Sequence, residues 1–185
     1  MSKPTRDVTD AKVLSALSHP LRSRLLDILK VDGPATASTL AERTDQAVGN
    51  ISHHLKVLAQ CELIAEAPEL AKDRRERWWR TIPMRIRWSS ESFVDDASAE
   101  AVARAASSRN LEKHFELARA ALMAEEEDDQ TFSTDTWLRM TSEELVQLSE
   151  QIVAVVQQWA DRDLPDDGQE RRPSYFFAHG FPAQP

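Results

Sequence analysis

The stretch LAERTDQAVGNISHHLKVLAQCELI, Leu40 to Ile64, constrains the fold of this chain more than any other. Thr39 is placed to open a short helical segment, Leu40 to Arg43, because Glu42 lies three residues on and completes a capping box. The polar turn Thr44-Asp45-Gln46 separates it from a longer helix, from about Ala47 to Cys61. At 100° per residue Val48, Ile51, Leu55 and Leu58 fall in one sector, which must face a core. The opposite sector holds Gln46, Gly49, Asn50, His53 and Lys56, with Val57 the one apolar residue among them.

The flanks extend the pattern. Val13, Leu14 and Leu17 mark an amphipathic helix from about Thr9 or Asp10 to Ser18. Pro20 interrupts it before a second helix carrying Leu21, Leu25, Leu26 and Leu29, and Gly33-Pro34 stops that one. The first seven residues are polar and contain Pro4, so a frayed terminus is expected. Beyond Cys61, Leu63-Ile64-Ala65 and Arg77 to Ile82 read as a β-hairpin whose polar tip passes through Lys72-Asp73-Arg74-Arg75. Met84, Ile86 and Trp88 then alternate with polar residues as in a further strand with one buried face.

The second half has a different character. Residues 96 to 125 are alanine-rich and helical, with Leu111, Phe115, Ala118 and Leu122 in a stripe. The acidic run Glu125 to Asp129 reads as a solvated helix end or linker. Thr141 and Glu144 form a capping box opening another helix, whose seam is Leu145, Leu148, Ile152, Val155, Val156 and Trp159. Such a seam must be covered by a neighbouring helix or a second copy of the chain. Asp161 to Pro173 reads as a loose polar segment, whereas Tyr175, Phe176, Phe177 and Phe181 are expected to add a strand beside Met84 to Trp88.

Charge divides along the same line. The net charge of -8 is the balance of +4 in residues 1 to 90 and -12 in residues 91 to 185, so only the first half is suited to approach phosphates. No apolar run is long enough to cross a bilayer, and the first twenty residues lack the core of a secretory signal. A single cysteine, Cys61, makes neither an internal disulfide nor a zinc site by itself, and a reducing cytoplasmic setting is expected. Cys61 reads as a small core residue, the alternative being a redox-sensitive thiol.

Together these elements predict a mainly α fold with a small β wing. Residues 1–90 form a winged helix-turn-helix domain, and residues 91–185 a helical dimerisation and possible effector region with a C-terminal strand. The polar sector presents amide, imidazole and ammonium groups around one glycine, suited to base edges and phosphates of double-stranded DNA. Lys72, Arg74, Arg75 and Arg77 in the wing supply sequence-independent phosphate contacts.

Three segments resemble the ArsR-type winged-helix regulators: ALSHPLRSRLLDIL at Ala16 to Leu29, Leu40-Ala41-Glu42, and SHHLKVL at Ser52 to Leu58. The wing segment Arg75 to Arg80 is similar to a subgroup with a long helical extension. The resemblance covers residues 8 to 90 and implies a homodimeric transcription regulator, commonly a repressor released by an effector. It also places DNA contacts on the matching residues Ser52, His53, His54 and Lys56. The chain departs from the pattern in having Asp45 where a glycine usually makes the left-handed turn, and in lacking metal-sensing cysteines across Pro34 to Thr39. His114 lies near Glu112 and Glu116 without a second histidine at helical spacing, so neither a metal site nor a cofactor is expected. His19 reads as structural at a helix junction, and His54 as lying at the edge of the core sector.

An alternative is a protein-interaction module in which the winged helix and the acidic half dock a protein partner. An enzyme finds no support, because no phosphate loop, nucleophile-base spacing or zinc set is present. The tryptophans and tail phenylalanines suggest an apolar small-molecule effector held between the long helices and the Met84 to Trp88 strand.

Overall fold

The computed structural model describes residues 4–73, 76–88, 93, 96–124 and 131–184. Arg74, Arg75 and the acidic run Glu125 to Asp129, singled out above, lie outside the described residues.

Local chemistry sets the helix ends. The Asp10 carboxylate accepts the amide of Lys12 at 2.8 Å and caps α1, Ala11–Ser18. Pro20 occupies the start of α2, Pro20–Val31, where its missing N–H would have had no helical partner. Gly33 then turns the chain at φ 86, a left-handed conformation free of strain only for glycine. The next helix, α3, Ala37–Thr44, begins three residues before the expected Leu40, and its cap is Thr36 rather than Thr39. Thr36 ends the short strand β2, Ala35–Thr36, so its backbone is already extended as a capping residue requires. Its hydroxyl accepts the amide of Thr39 at 3.2 Å, while Thr39 lies inside the helix.

After the Asp45 turn comes α4, Val48–Gln60, then β3, Ile64–Glu66, a single 3-10 turn at Pro68–Leu70, and β4, Trp78–Thr81. Strands β2, β4 and β3 form one antiparallel sheet in that order, with Ala65 opposite Arg80 and Ala35 opposite Trp79. The expected hairpin is therefore present, and β2 enlarges it. A second small sheet pairs β5, Arg85–Arg87, in parallel with β1, Thr5–Asp7.

This second sheet corrects two expectations. Thr5–Asp7, expected to be frayed, is an ordered strand, tied by Arg87 to Asp7 at 2.6 Å and followed by Val8, which is only 2% exposed. A three-residue strand with one apolar anchor is too short for periodicity to reveal. The place beside β5 expected for the aromatic tail is accordingly filled by β1, and residues 171–184 contain no strand.

Leu14, Leu25, Leu40, Ile51, Leu55 and Leu58, from four successive helices, are the largest fully buried side chains. The long helix α5, Ala97–Met123, is capped by the Asp96 carboxylate, which accepts the amides of Ser98 and Ala99. Ala99, Ala103 and Ala106, on one face of α5, join the same core with Phe93, and Lys113 ties α5 to α2 through Asp27 at 2.5 Å. In the stripe read from the sequence, Leu111, Phe115 and Leu122 are exposed and Ala118 is half-buried. Small alanines allow α5 to pack closely, which the larger side chains would prevent.

The chain divides inside α5 into one unit, Lys3–Lys113, and a second from His114 to Pro185. The second unit contains α6, Ser142–Ala160, opened by the expected reciprocal capping box of Thr141 and Glu144. No residue of α6 is buried. The tail packs its alternate residues Tyr175, Phe177 and His179 around the buried His114, whose Nδ1 lies 2.9 Å from His179 Nε2 and whose ring stacks on Phe177.

Candidate nucleic-acid interface

Helix α4 is mounted by its apolar seam and leaves its polar sector in solvent. Ile51, Leu55 and Leu58 are fully buried, while Gln46, Gly49, Asn50, Ser52, His53 and Lys56 are all exposed. Val48, placed in the core sector by the wheel, is instead 47% exposed, since the first turn of α4 projects beyond the core. His54 is corrected as a DNA contact: it is 8% exposed and lies against the His19 ring with centroids 4.7 Å apart. Desolvation, followed by the nearby His19, Arg22 and His53, pushes the His54 imidazole below its ordinary pKa, so a neutral ring belongs to the folded state.

The turn before α4 is built from α3. The buried Thr44 hydroxyl donates to the Leu40 carbonyl at 2.7 Å, and Asp45 adopts φ 54 and ψ 49 while its N–H reaches the carbonyls of Ala41 and Glu42. Aspartate thus keeps the left-handed conformation that glycine usually supplies at this turn, at some steric cost. Ala47 at the N-cap of α4 provides no side-chain acceptor, so the first-turn amides point outward with no side chain closing them. Such amides, at the positive end of a helix, suit a phosphate.

Gly49 is informative for what surrounds it. Its φ is not left-handed, and a Cβ built there meets nothing within 4 Å. The backbone and its neighbours do not require glycine at this position, although glycine weakens a helix. Its effect is to lower the surface in the middle of the polar face. The Ser52 hydroxyl donates to the Val48 carbonyl at 2.8 Å, leaving the oxygen free to accept.

The wing is less bare than its sequence suggests. Arg77 faces Glu66 at 3.6 Å across the sheet, and Arg80 pairs with Glu69. The Glu76 carboxylate accepts the backbone N–H of Lys72 at 2.9 Å, which leads the causes holding its pKa below the usual carboxylate range. The two exposed ion pairs each contribute little to stability in water. Sequence reasoning passed over Arg80, exposed on β4; its alternation with the partly buried Trp79 was the available signal.

Among the described residues no group of three or more His, Cys, Asp and Glu is arranged to hold a metal ion, and no helix is long and apolar enough to cross a membrane. A helical pair joined by a tight turn, with the second helix presenting a polar face and a three-stranded sheet beside it, defines a winged helix-turn-helix domain.

Comparison with known proteins agrees. Residues 17–67 match the family described as a helix-turn-helix domain. The chain is 43% identical over 54 residues to the transcriptional repressor SdpR of Bacillus subtilis (strain 168), a match covering 29% of this chain and 59% of that repressor. The chain thus spans less than two thirds of its curated relative. Among solved structures, it is similar to one titled a possible transcriptional regulator for arsenical resistance, with 28% identity, 62% of this chain and 98% of that one covered, and a TM-score of 0.33. It is also similar to NolR from Sinorhizobium fredii, with 25% identity, coverage of 40% and 68%, and a TM-score of 0.34.

Proposed function

We propose that this protein is a sequence-specific DNA-binding transcription regulator, a homodimeric repressor working in the cytoplasm. The observation carrying this reading is the exposed polar face of α4, Gln46 to Lys56, mounted on a fully buried seam and lowered at its middle by Gly49. It is supported by the helix-turn-helix match across residues 17–67 and by the repressor activity named for the Bacillus relative. Gln46, Gly49, Asn50, Ser52, His53 and Lys56 face the major groove in this reading, and Lys72, Arg74, Arg75, Arg77 and Arg80 follow the phosphates. No metal and no catalytic step enters it.

The second half supports dimerisation. Leu122 is 72% and Trp159 62% exposed, and with Val153, Val155 and Phe115 they leave more apolar surface than a folded monomer ordinarily shows. A second copy is the occupant, and residues 91–185 are its dimerisation region. The groove lined by Ser142, Glu143, Val146 and Gln147 is open and gives an apolar effector little support.

Fluorescence-anisotropy titration of duplexes from upstream of the protein's own gene, against shuffled duplexes, tests the reading. Tighter binding of the native duplexes, weakening steeply from 50 to 200 mM salt as about 10³-fold or more for a protein with several phosphate contacts, is expected. Equal and weak binding of both would overturn it and favour the acidic half docking a protein partner.

A further inference from the structure

Gln46 and Asn50 stand four residues apart at the start of α4, and their side chains are joined: Asn50 Nδ2 donates to Gln46 Oε1 at 3.0 Å. Gln46 Nε2 in turn donates to the carbonyl oxygen of Asp45 at 2.9 Å. A carbonyl oxygen can only accept, so it fixes which end of the Gln46 amide faces the turn. The second bond then fixes which end of the Asn50 amide faces Gln46. The anchor is itself firm, because Asp45 is held at φ 54 with its own N–H bonded back to α3. An exposed relay of two amides adds little to stability, but it removes rotamer freedom from Asn50 before any ligand arrives.

Asn50 keeps an unoccupied Oδ1 and a second Nδ2 hydrogen among the described residues. One acceptor beside one donor complements the major-groove edge of adenine, which offers its N6 amino group and N7. Guanine presents two acceptors there, O6 and N7, and would set O6 against Oδ1. A short side chain reaches a base edge only when its helix comes close, and the open surface at the neighbouring Gly49 permits that.

Building on the DNA-binding reading above, we propose that Asn50 reads an adenine in the major groove and that Gln46 is the positioning residue that presets its amide. The Asp45-Gln46-Asn50 relay is then a specificity device.

The test is selection from a pool of random duplexes by the full-length protein and by Asn50→Ala, Gln46→Ala and the double variant, each checked for native helicity by circular dichroism. The wild type is expected to enrich a motif with adenine at one position of each half-site, preferred over guanine by about tenfold or more. Asn50→Ala should lose that preference while keeping the rest of the motif. Gln46→Ala should weaken it at the same position, and should change nothing further in the Asn50→Ala background. An Asn50→Ala motif identical to wild type, or a Gln46→Ala effect that persists without Asn50, overturns the proposal while leaving DNA binding intact. A wild type that enriches no motif overturns the underlying reading as well.

Discussion

Replacing Gly49 by alanine separates what the fold needs from what the surface does. Gly49 is the second residue of α4, is exposed, and has no left-handed φ; an added methyl group meets nothing within 4 Å. The folded protein therefore gives the methyl group no clash, and the change acts through helix propensity alone. Alanine is favoured over glycine in a helix by roughly 0.5–1 kcal/mol, with the lower half of that range suited to a first-turn position. In a domain of this size that corresponds to a rise of about 2–5 °C in Tm, measured by thermal melting followed at 222 nm. DNA binding should move the other way. A methyl group in the middle of the polar face holds the helix back from the groove, and affinity for a selected duplex should fall about tenfold or more, as when a well-formed base contact is lost. Stability up and affinity down is the expected pair of results. A variant that is stabilised and binds as tightly as wild type would refute the assignment of this face to DNA, and a destabilised one would refute the argument that the fold does not require glycine.

Sedimentation or light scattering should give twice the chain mass of 20.9 kDa, and Phe115→Glu with Leu122→Glu should shift it to monomer without unfolding residues 1–90. Deleting residues 1–8 removes β1 and the buried Val8, and should lower the Tm by several degrees; an unchanged Tm would mean the terminus is not part of the fold. Desolvation, then Arg22 and Arg109, lowers the His19 pKa, and desolvation, then His19, lowers that of His54. Both folded values lie below the unfolded value near 6.5, so their stability contribution is complete above that pH and declines as pH falls through it. Melts from pH 7.5 to 5 should show this decline, and His54→Leu should flatten it if the variant folds.

The helix-turn-helix half was legible because its helices are amphipathic and periodic. Ile51, Leu55 and Leu58 declare one face of α4 by spacing, and their burial leaves Gln46, Asn50, His53 and Lys56 outside by geometry alone. Thr141 and Glu144 were equally readable, since a capping box is a local device that owes nothing to distant residues. What escaped depends on partners far along the chain. β1 exists only because β5 lies beside it about eighty residues later, and Thr36 caps α3 because β2 has been drawn into the wing sheet. The packing face of α5 gave little signal for a related reason: alanine is only weakly hydrophobic, yet it lets two helices approach closely, and Ala99, Ala103 and Ala106 pack into the core. The amide relay at Asp45, Gln46 and Asn50 had no signature beyond a four-residue spacing, which many unbonded pairs share.

The central claim is that the exposed face of α4 binds DNA. Its most direct test replaces Gln46, Asn50, His53 and Lys56 together by alanine and measures, at 150 mM salt, affinity for a duplex enriched by the wild type from a random pool. All four side chains are exposed, so the fold and the oligomeric mass should survive. The account predicts a loss of about a hundredfold or more, reflecting several base and phosphate contacts removed at once. Undiminished binding by a folded variant would contradict it.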